Sequence, residues 1–491
     1  MRANAKSSNN EQTEKLVHIP YELMQFVQRN TYSLLIKGYA GTGKTTLSLT
    51  ILRALKIKSN FFYISTRISP KQLFLYYPWL DKFVGRPKVS EPNEISGRDY
   101  NLSSFEDARL DEPESLFERI TNQLMDVKAP IIIIDSWDAI ASFMDKEARL
   151  NNERVLQTWR ERAGAKLIFI SEDPKDTTLD FLVDGIIELG QKYCDSIRIR
   201  EIFLSKLRGV MINKPSYIYS LNNGIFRSYD TYKPAEFITT VKSSIAFNKI
   251  EHLSQLLPED HYIASGYPEL DIALGGGFPK KSVILIELDS DINARIIMTF
   301  LARIMSNFVR MSSPILLQPT DEVDPKAVMP YLEPYLSTNS ERGLVKIFLS
   351  SSKPKGICDY NGTSRSKWDA FEKQFEFFHD VVTKTRQEHP NKLLLNVMGG
   401  EMFQKMHNYG EINGIDLMPF IKANTDLSIV VVRHSQDVGE RLAGISDMHV
   451  RFTLINGTLF LQSLVPRTYL HAIVIDRSSS GYPKIKLEPI V

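Results

Sequence analysis

The segment Gly38-Tyr39-Ala40-Gly41-Thr42-Gly43-Lys44-Thr45 has the residue types, at the spacing, of a phosphate-binding loop. Its glycines let successive backbone N–H groups turn inward on a β-phosphate. Lys44 is placed to reach the β- and γ-phosphate oxygens, and the Thr45 hydroxyl to ligate Mg²⁺. Thr46 completes the expected binding set. An acid at the tip of a neighbouring apolar strand should organise the same metal, and Asp135 ends the run Ile131 to Ile134. A chance glycine-rich turn would not come with that context. ATP and Mg²⁺ are therefore the expected ligands of the first half.

For such a loop to work, a strand must precede it and a helix must follow. Ser33-Leu34-Leu35-Ile36-Lys37 reads as a buried strand leading into the glycines. Thr45 to Leu55 has helical periodicity, apolar at Leu47, Ile51, Leu52 and Leu55. Further strands are expected at Phe61–Ser65, Ile131–Ile134 and Lys166–Ile170. Helices are expected at Ile19–Val27, from Pro70, at Glu114–Val127 and at Asn151–Arg162. Strands this uniformly apolar predict a parallel sheet covered on both faces. Three hairpin-like runs, Gly185–Gly190, Ile197–Leu207 and Ser216–Phe226, predict an antiparallel extension at the sheet edge. Gly85–Pro113 reads as a long polar loop.

A second αβ series begins at Ser265. Its strands are expected at Val283–Leu288, Pro314–Gln318, Leu344–Leu349, Lys392–Val397 and Leu427–Val432, with hairpins over Val450–Val465 and Ala472–Leu487. The repeated order suggests a diverged tandem repeat, and 491 residues exceed one comfortable core. The expected architecture is α/β: a tail over 1–14, an ATP-binding domain over 15–230, a linker over 231–258 and a second domain over 259–491. Sixty basic residues against 58 acidic ones give a formal charge of +2, which argues against a general nucleic-acid coat. Two cysteines, Cys194 and Cys358, make neither a disulfide framework nor a zinc site. With no apolar stretch long enough to span a bilayer and no signal-peptide core, a soluble cytoplasmic protein is expected.

Several other stretches carry a family pattern. Ser265-Gly266-Tyr267-Pro268-Glu269-Leu270-Asp271-Ile272-Ala273-Leu274-Gly275-Gly276-Gly277-Phe278-Pro279 is similar to the opening of a KaiC module. Asp184-Gly185-Ile186-Ile187-Glu188-Leu189, followed by Lys206-Leu207-Arg208-Gly209, is similar to a strand pair of the same family. The chain thus resembles the KaiC branch of the RecA superfamily, in particular its archaeal KaiC-like and gas-vesicle-regulator-D-like group. The resemblance implies two RecA-like domains, each a mostly parallel sheet flanked by helices. It also implies ATPase chemistry, a homo-oligomer of which a hexameric ring is one form, and a protein partner. On the same resemblance Lys206 and Arg208 would project toward the nucleotide of a neighbouring subunit and stabilise charge on its γ-phosphate. Two solvated residues on one face of a strand would show the same spacing.

The chain also departs from that pattern. Where the family ends its second strand in two water-activating glutamates, Tyr63-Ile64-Ser65-Thr66-Arg67-Ile68-Ser69-Pro70 offers Arg67 and Ile68, neither of which accepts a proton. Glu172, just beyond Lys166–Ile170, is the candidate substitute, with Asp138 second; each could equally be a polar residue at a strand exit or helix start. In the second half the loop's place is taken by Glu287-Leu288-Asp289-Ser290-Asp291-Ile292-Asn293-Ala294-Arg295. Lysine and hydroxyl are replaced there by Ala294 and Arg295. Glu287, Asp289 and Asp291 would repel a triphosphate, and Asn396 stands where a metal-organising acid is expected. The expected activity is therefore a slow regulatory or assembly ATPase with one site. A nonhydrolytic ATP-gated switch and a DNA-interacting recombinase- or helicase-like ATPase are the alternatives. Arg433-His434-Ser435-Gln436-Asp437 sits at a strand exit on the ligand face of such a sheet, where a capped loop is expected over a residual binding role, and the aromatic segments Tyr76–Leu80 and Lys367–Phe378 read as packing rather than base stacking.

Overall fold

Strand β1 (Tyr32–Gly38) is buried along its whole length. Its alternate side chains feed two cores: Leu34 and Ile36 pack on one face, Leu35 on the other. A strand apolar on both sides must sit inside a sheet with helices over each face, and the computed structural model shows this arrangement. The model describes residues 18–490 apart from 86–102, 110–112, 125–126, 145–154, 157, 159, 162–163, 176–178, 195–196, 233–260, 324–327, 333–335, 337–338, 348–366, 402, 405–416, 436–437 and 477–483. Two compact units divide between Asp230 and Thr231. The linker expected over 231–258 and the helix expected over Asn151–Arg162 lie largely outside the described residues.

In the first unit β2 (Phe61–Ser65), β3 (Ser103–Asp107), β4 (Ile131–Asp135), β5 (Lys166–Ser171), β6 (Gly185–Cys194), β7 (Ile197–Leu207), β8 (Ser216–Ser220) and β9 (Arg227–Ser228) join β1 in the order β3-β2-β4-β5-β1-β6-β7-β8-β9. Pairing is parallel from β3 to β6 and antiparallel from β6 onward. The polar stretch expected to be one long loop after Gly85 therefore contains an edge strand, β3. Its residues Ser103 to Asp107 alternate weakly, and pairing with β2 holds them. The third hairpin run is shorter than expected. β8 stops at Ser220, where a 3-10 turn at Asn222–Gly224 intervenes.

The second unit repeats the plan. Short strands β10 (Tyr262–Ile263) and β11 (Phe278–Pro279) flank the glycine-rich opening. Then come β12 (Ser282–Leu288), β13 (Ile315–Gln318), β14 (Val345–Ile347), β15 (Leu395–Gly399), β16 (Leu427–Arg433), β17 (Met448–Ile455), β18 (Thr458–Val465), β19 (His471–Asp476) and β20 (Lys484–Pro489). They pair in the order β14-β13-β15-β16-β12-β17-β18-β19-β20, the same path strand for strand. Registers match too: Tyr32 faces Lys166 as Ser282 faces Leu427, and Leu34 faces Gly185 as Ile284 faces Met448. The two α/β domains are thus a tandem repeat, with position 32 in β1 equivalent to position 282 in β12. No helix among the described residues is long and apolar enough to cross a membrane.

Candidate nucleotide-binding site

The glycine loop leaves β1 at the carboxyl edge of the parallel strands and runs into the helix Lys44–Ala54. Gly41 and Gly43 hold φ of 79° and 92°, a backbone region that disfavours side chains. At Gly43 a Cβ would also stand 2.7 Å from the Leu221 methyls. Thr42 closes the turn through its N–H and hydroxyl, both donating to the Tyr39 carbonyl at 3.3 and 2.8 Å. The buried Tyr219 hydroxyl donates to the Thr42 carbonyl from β8. Lys44 lies folded along the loop, its ammonium donating to the carbonyls of Gly38 and Tyr39 at 2.7 and 2.9 Å. Burial lowers its pKa. The charges of Glu172, Asp135 and Asp138 oppose that shift, and that of Arg67 adds to it.

Thr45 and Asp135 meet as expected: the Thr45 hydroxyl donates to Asp135 Oδ2 at 2.6 Å. A third residue converges on the same oxygen. The buried Tyr63 hydroxyl on β2 donates to Asp135 Oδ2 at 2.5 Å. Burial and the Asp135 carboxylate push the Tyr63 pKa well up, so it stays a donor. The Asp135–Ser136 peptide is cis. The exits of β2 and β4 are stitched by Thr66, whose N–H donates to the Asp135 carbonyl at 2.8 Å and whose hydroxyl accepts from Ser136 N–H at 2.8 Å. A hydroxyl and a carboxylate oxygen this close form a hard-oxygen donor pair that fits Mg²⁺. Thr46 turns away from the loop, its hydroxyl 3.0 Å from that of Tyr77. Trp79 packs under the guanidinium of Arg53 and donates to the Gly224 carbonyl at 2.9 Å. Tyr77 and Trp79 thus brace the loop helix, while Tyr76 is exposed.

Glu172 stands at the exit of β5, and its carboxylate is paired with Arg67 at 2.6 Å. A tight turn arranges this contact. Ser65 Oγ donates to the Ile68 carbonyl at 2.6 Å, Ile68 packs into the core, and Arg67 is left at the tip facing β5. Asp138 is committed elsewhere: it accepts from the Glu172 backbone N–H and from Ser171 Oγ, which fixes the β5 exit. Lys206 and Arg208 lie toward the opposite end of the sheet. Lys206 pairs in register with Ile186, which pairs with Leu35, so it stands about 10 Å along the strands from Gly38. Its ammonium donates to the Asp180 carbonyl at 2.8 Å, and Arg208 reaches Asp184 at 3.3 Å. Neither can serve the loop of its own domain.

The equivalent loop of the second domain keeps one turn, Ile292 N–H donating to the Asp289 carbonyl at 3.1 Å. Its non-glycine residues do not adopt positive φ. Arg433, at the position equivalent to Glu172, extends into it and donates to the carbonyls of Asp289 and Ser290 at 3.0 and 3.4 Å, and to that of Ile292. Glu322, beyond the β13 exit, clamps the same guanidinium through both oxygens. Glu287 does not face the loop. Buried on β12, it accepts from His449 at 2.7 Å, from Arg451 at 3.0 Å and from His434. Burial raises its pKa, and those hydrogen bonds more than offset this, taking it down to about 2. Asn396 is not at the strand tip but inside β15, donating weakly to Ser428 at 3.4 Å. By register Gly399 is the residue equivalent to Asp135, because β15 begins three residues later and ends two residues later than the expected Lys392–Val397.

Comparison with known proteins agrees with this geometry. Residues 23–204 match the family model described as GvpD gas vesicle protein, P-loop domain. Protein GvpD2 of Halobacterium salinarum is 23% identical across 97% of each chain, and Protein GvpD1 of the same organism is 24% identical, again across 97% of each. The circadian clock oscillator protein KaiC of Thermostichus vulcanus is 24% identical over 51% of this chain and 47% of its own. Residues 23–204 thus match the GvpD P-loop domain family, and the chain is similar to GvpD and KaiC proteins, consistent with a KaiC-like, GvpD-like P-loop protein of the RecA superfamily.

Proposed function

We propose that the first domain binds ATP with Mg²⁺ and hydrolyses it slowly, nucleotide state governing contacts with other subunits or a protein partner. The observation that carries this reading is the convergence of Thr45 and Tyr63 on one oxygen of Asp135, beside a lysine folded along the glycine loop. Thr45 and Asp135 would hold Mg²⁺, which when bound neutralises charge on the β- and γ-phosphates. Lys44 would shift from its loop carbonyls to phosphate oxygens of greater charge. Glu172 is the candidate for orienting water, and its carboxylate is the first of the acids acting on Lys44. Lys206 and Arg208 could act only on the site of another subunit. The match to a gas vesicle protein's P-loop domain supports seeking the partner among gas-vesicle proteins.

The Arg67–Glu172 pair favours a second reading, a switch that binds ATP without turnover, since a carboxylate held by a guanidinium is a poor base. Steady-state hydrolysis by the purified protein, beside Lys44→Ala and Glu172→Gln, separates the two. Turnover lost in Lys44→Ala and sharply reduced in Glu172→Gln supports the ATPase. Tight binding with no turnover above the Lys44→Ala background leaves the switch.

A further inference from the structure

Glu172 stands between two cations. Its carboxylate bonds Arg67 at 2.6 Å, and both charges act on Lys44. Arg67 is the more exposed partner. Its side chain is 53% exposed against 27% for Glu172, and it extends from the tip of the Ser65–Ile68 turn. Glu172 is fixed at its backbone by Asp138.

The second domain shows how far this position reaches. A side chain from the position of Glu172 spans to the loop carbonyls at 3.0 Å while bonding Glu322, just past the exit of β13, two strands away in the sheet. In the first domain the corresponding exits of β2 and β5 carry an opposite-charge pair too, with the signs reversed, and both of its charges act on Lys44 of the loop helix. In the second domain the arginine is anchored by the loop itself, whereas in the first the loop is served by Lys44 and the arginine holds only the acid.

We infer that Arg67 reads the terminal phosphate of a nucleoside triphosphate: it trades Glu172 for the γ-phosphate, selects tri- over diphosphate, and so frees the Glu172 carboxylate. The inference rests on ATP binding at this loop. A phosphate carrying more charge than a carboxylate competes for a guanidinium that offers two parallel donors. A diphosphate would leave the Arg67–Glu172 pair intact.

The test is a set of equilibrium affinities for ADP and a nonhydrolysable ATP analogue, with Mg²⁺, in the full chain and in Arg67→Ala, Glu172→Gln and the double variant. Arg67→Ala should weaken the analogue by about tenfold and ADP by less than about twofold, the loss of one charge-assisted contact. Glu172→Gln should tighten the analogue several-fold, and only while Arg67 is present. Equal losses for both nucleotides in Arg67→Ala would make the pair merely structural and overturn the inference, leaving ATP binding intact. An unaltered protein that binds neither nucleotide would overturn both.

Discussion

The two loops of this molecule start from the same strand path and the same register, and differ in where they keep positive charge. In the first domain the cation is Lys44, on the loop helix, and glycines at φ of 79° and 92° open the backbone around it. In the second the cation is Arg433, delivered from β16 and clamped by Glu322, and the non-glycine loop points three carbonyls at it. A second reversal lies one strand position below: buried Lys37 pairs with Asp180 at 2.5 Å, while its equivalent Glu287 is ringed by two histidines and an arginine. The second loop has Ala294 where the first has Lys44. There the Asp289, Ser290 and Ile292 carbonyls are hydrogen-bonded by Arg433, whose charge Glu322 balances.

The largest expected effect breaks the first half of that comparison. Lys44→Ala should weaken MgATP binding by about a hundredfold, roughly 3 kcal/mol, as the loss of a buried charge-assisted contact, read by titration calorimetry. Next comes Glu287→Gln, which leaves two histidines and Arg451 around a neutral amide. It should cost the second domain about 3 kcal/mol in denaturant unfolding.

The pH dependence has a definite sign. The Glu287 carboxyl falls from 4.5 to about 2 on folding, so its stabilisation is complete above about pH 4.5 and is lost as pH drops toward 2. That acid limb should be shallower in Glu287→Gln. Arg433→Ala should cost about 1–2 kcal/mol of second-domain stability without creating a nucleotide site, because the loop still lacks lysine and positive-φ glycines. Smallest is Tyr63→Phe, which removes one of two donors to Asp135 Oδ2. It should raise the Mg²⁺ concentration needed for ATP binding a few-fold, about 1 kcal/mol.

Much of this was legible in the residues. The loop, its flanking strand and helix and the Asp135 tip follow from apolar runs and glycine spacing, and both sheets appear where the uniform strands demanded. What the sequence could not disclose lies in contacts across strands. Tyr63 looked like any buried aromatic in an apolar run; only the β2–β4 register puts its hydroxyl on Asp135. Arg433 stands at a strand exit, yet nothing local in the sequence indicates that it reaches a loop roughly 140 residues earlier in the chain. Asn396 lies inside β15 rather than at its tip because Leu393 and Leu394 extend the apolar run before pairing begins at Leu395. The aromatics near Trp368 lie mostly on side chains outside the described residues, so the packing role expected of them stands as an expectation.

The claim that one loop binds nucleotide and its twin is closed by its own arginine is tested most directly by the stoichiometry of MgATP binding to the full chain. One site per chain, abolished by Lys44→Ala and unchanged in number by Arg433→Ala, is the predicted result. Two sites per chain, or binding that survives Lys44→Ala, would contradict it.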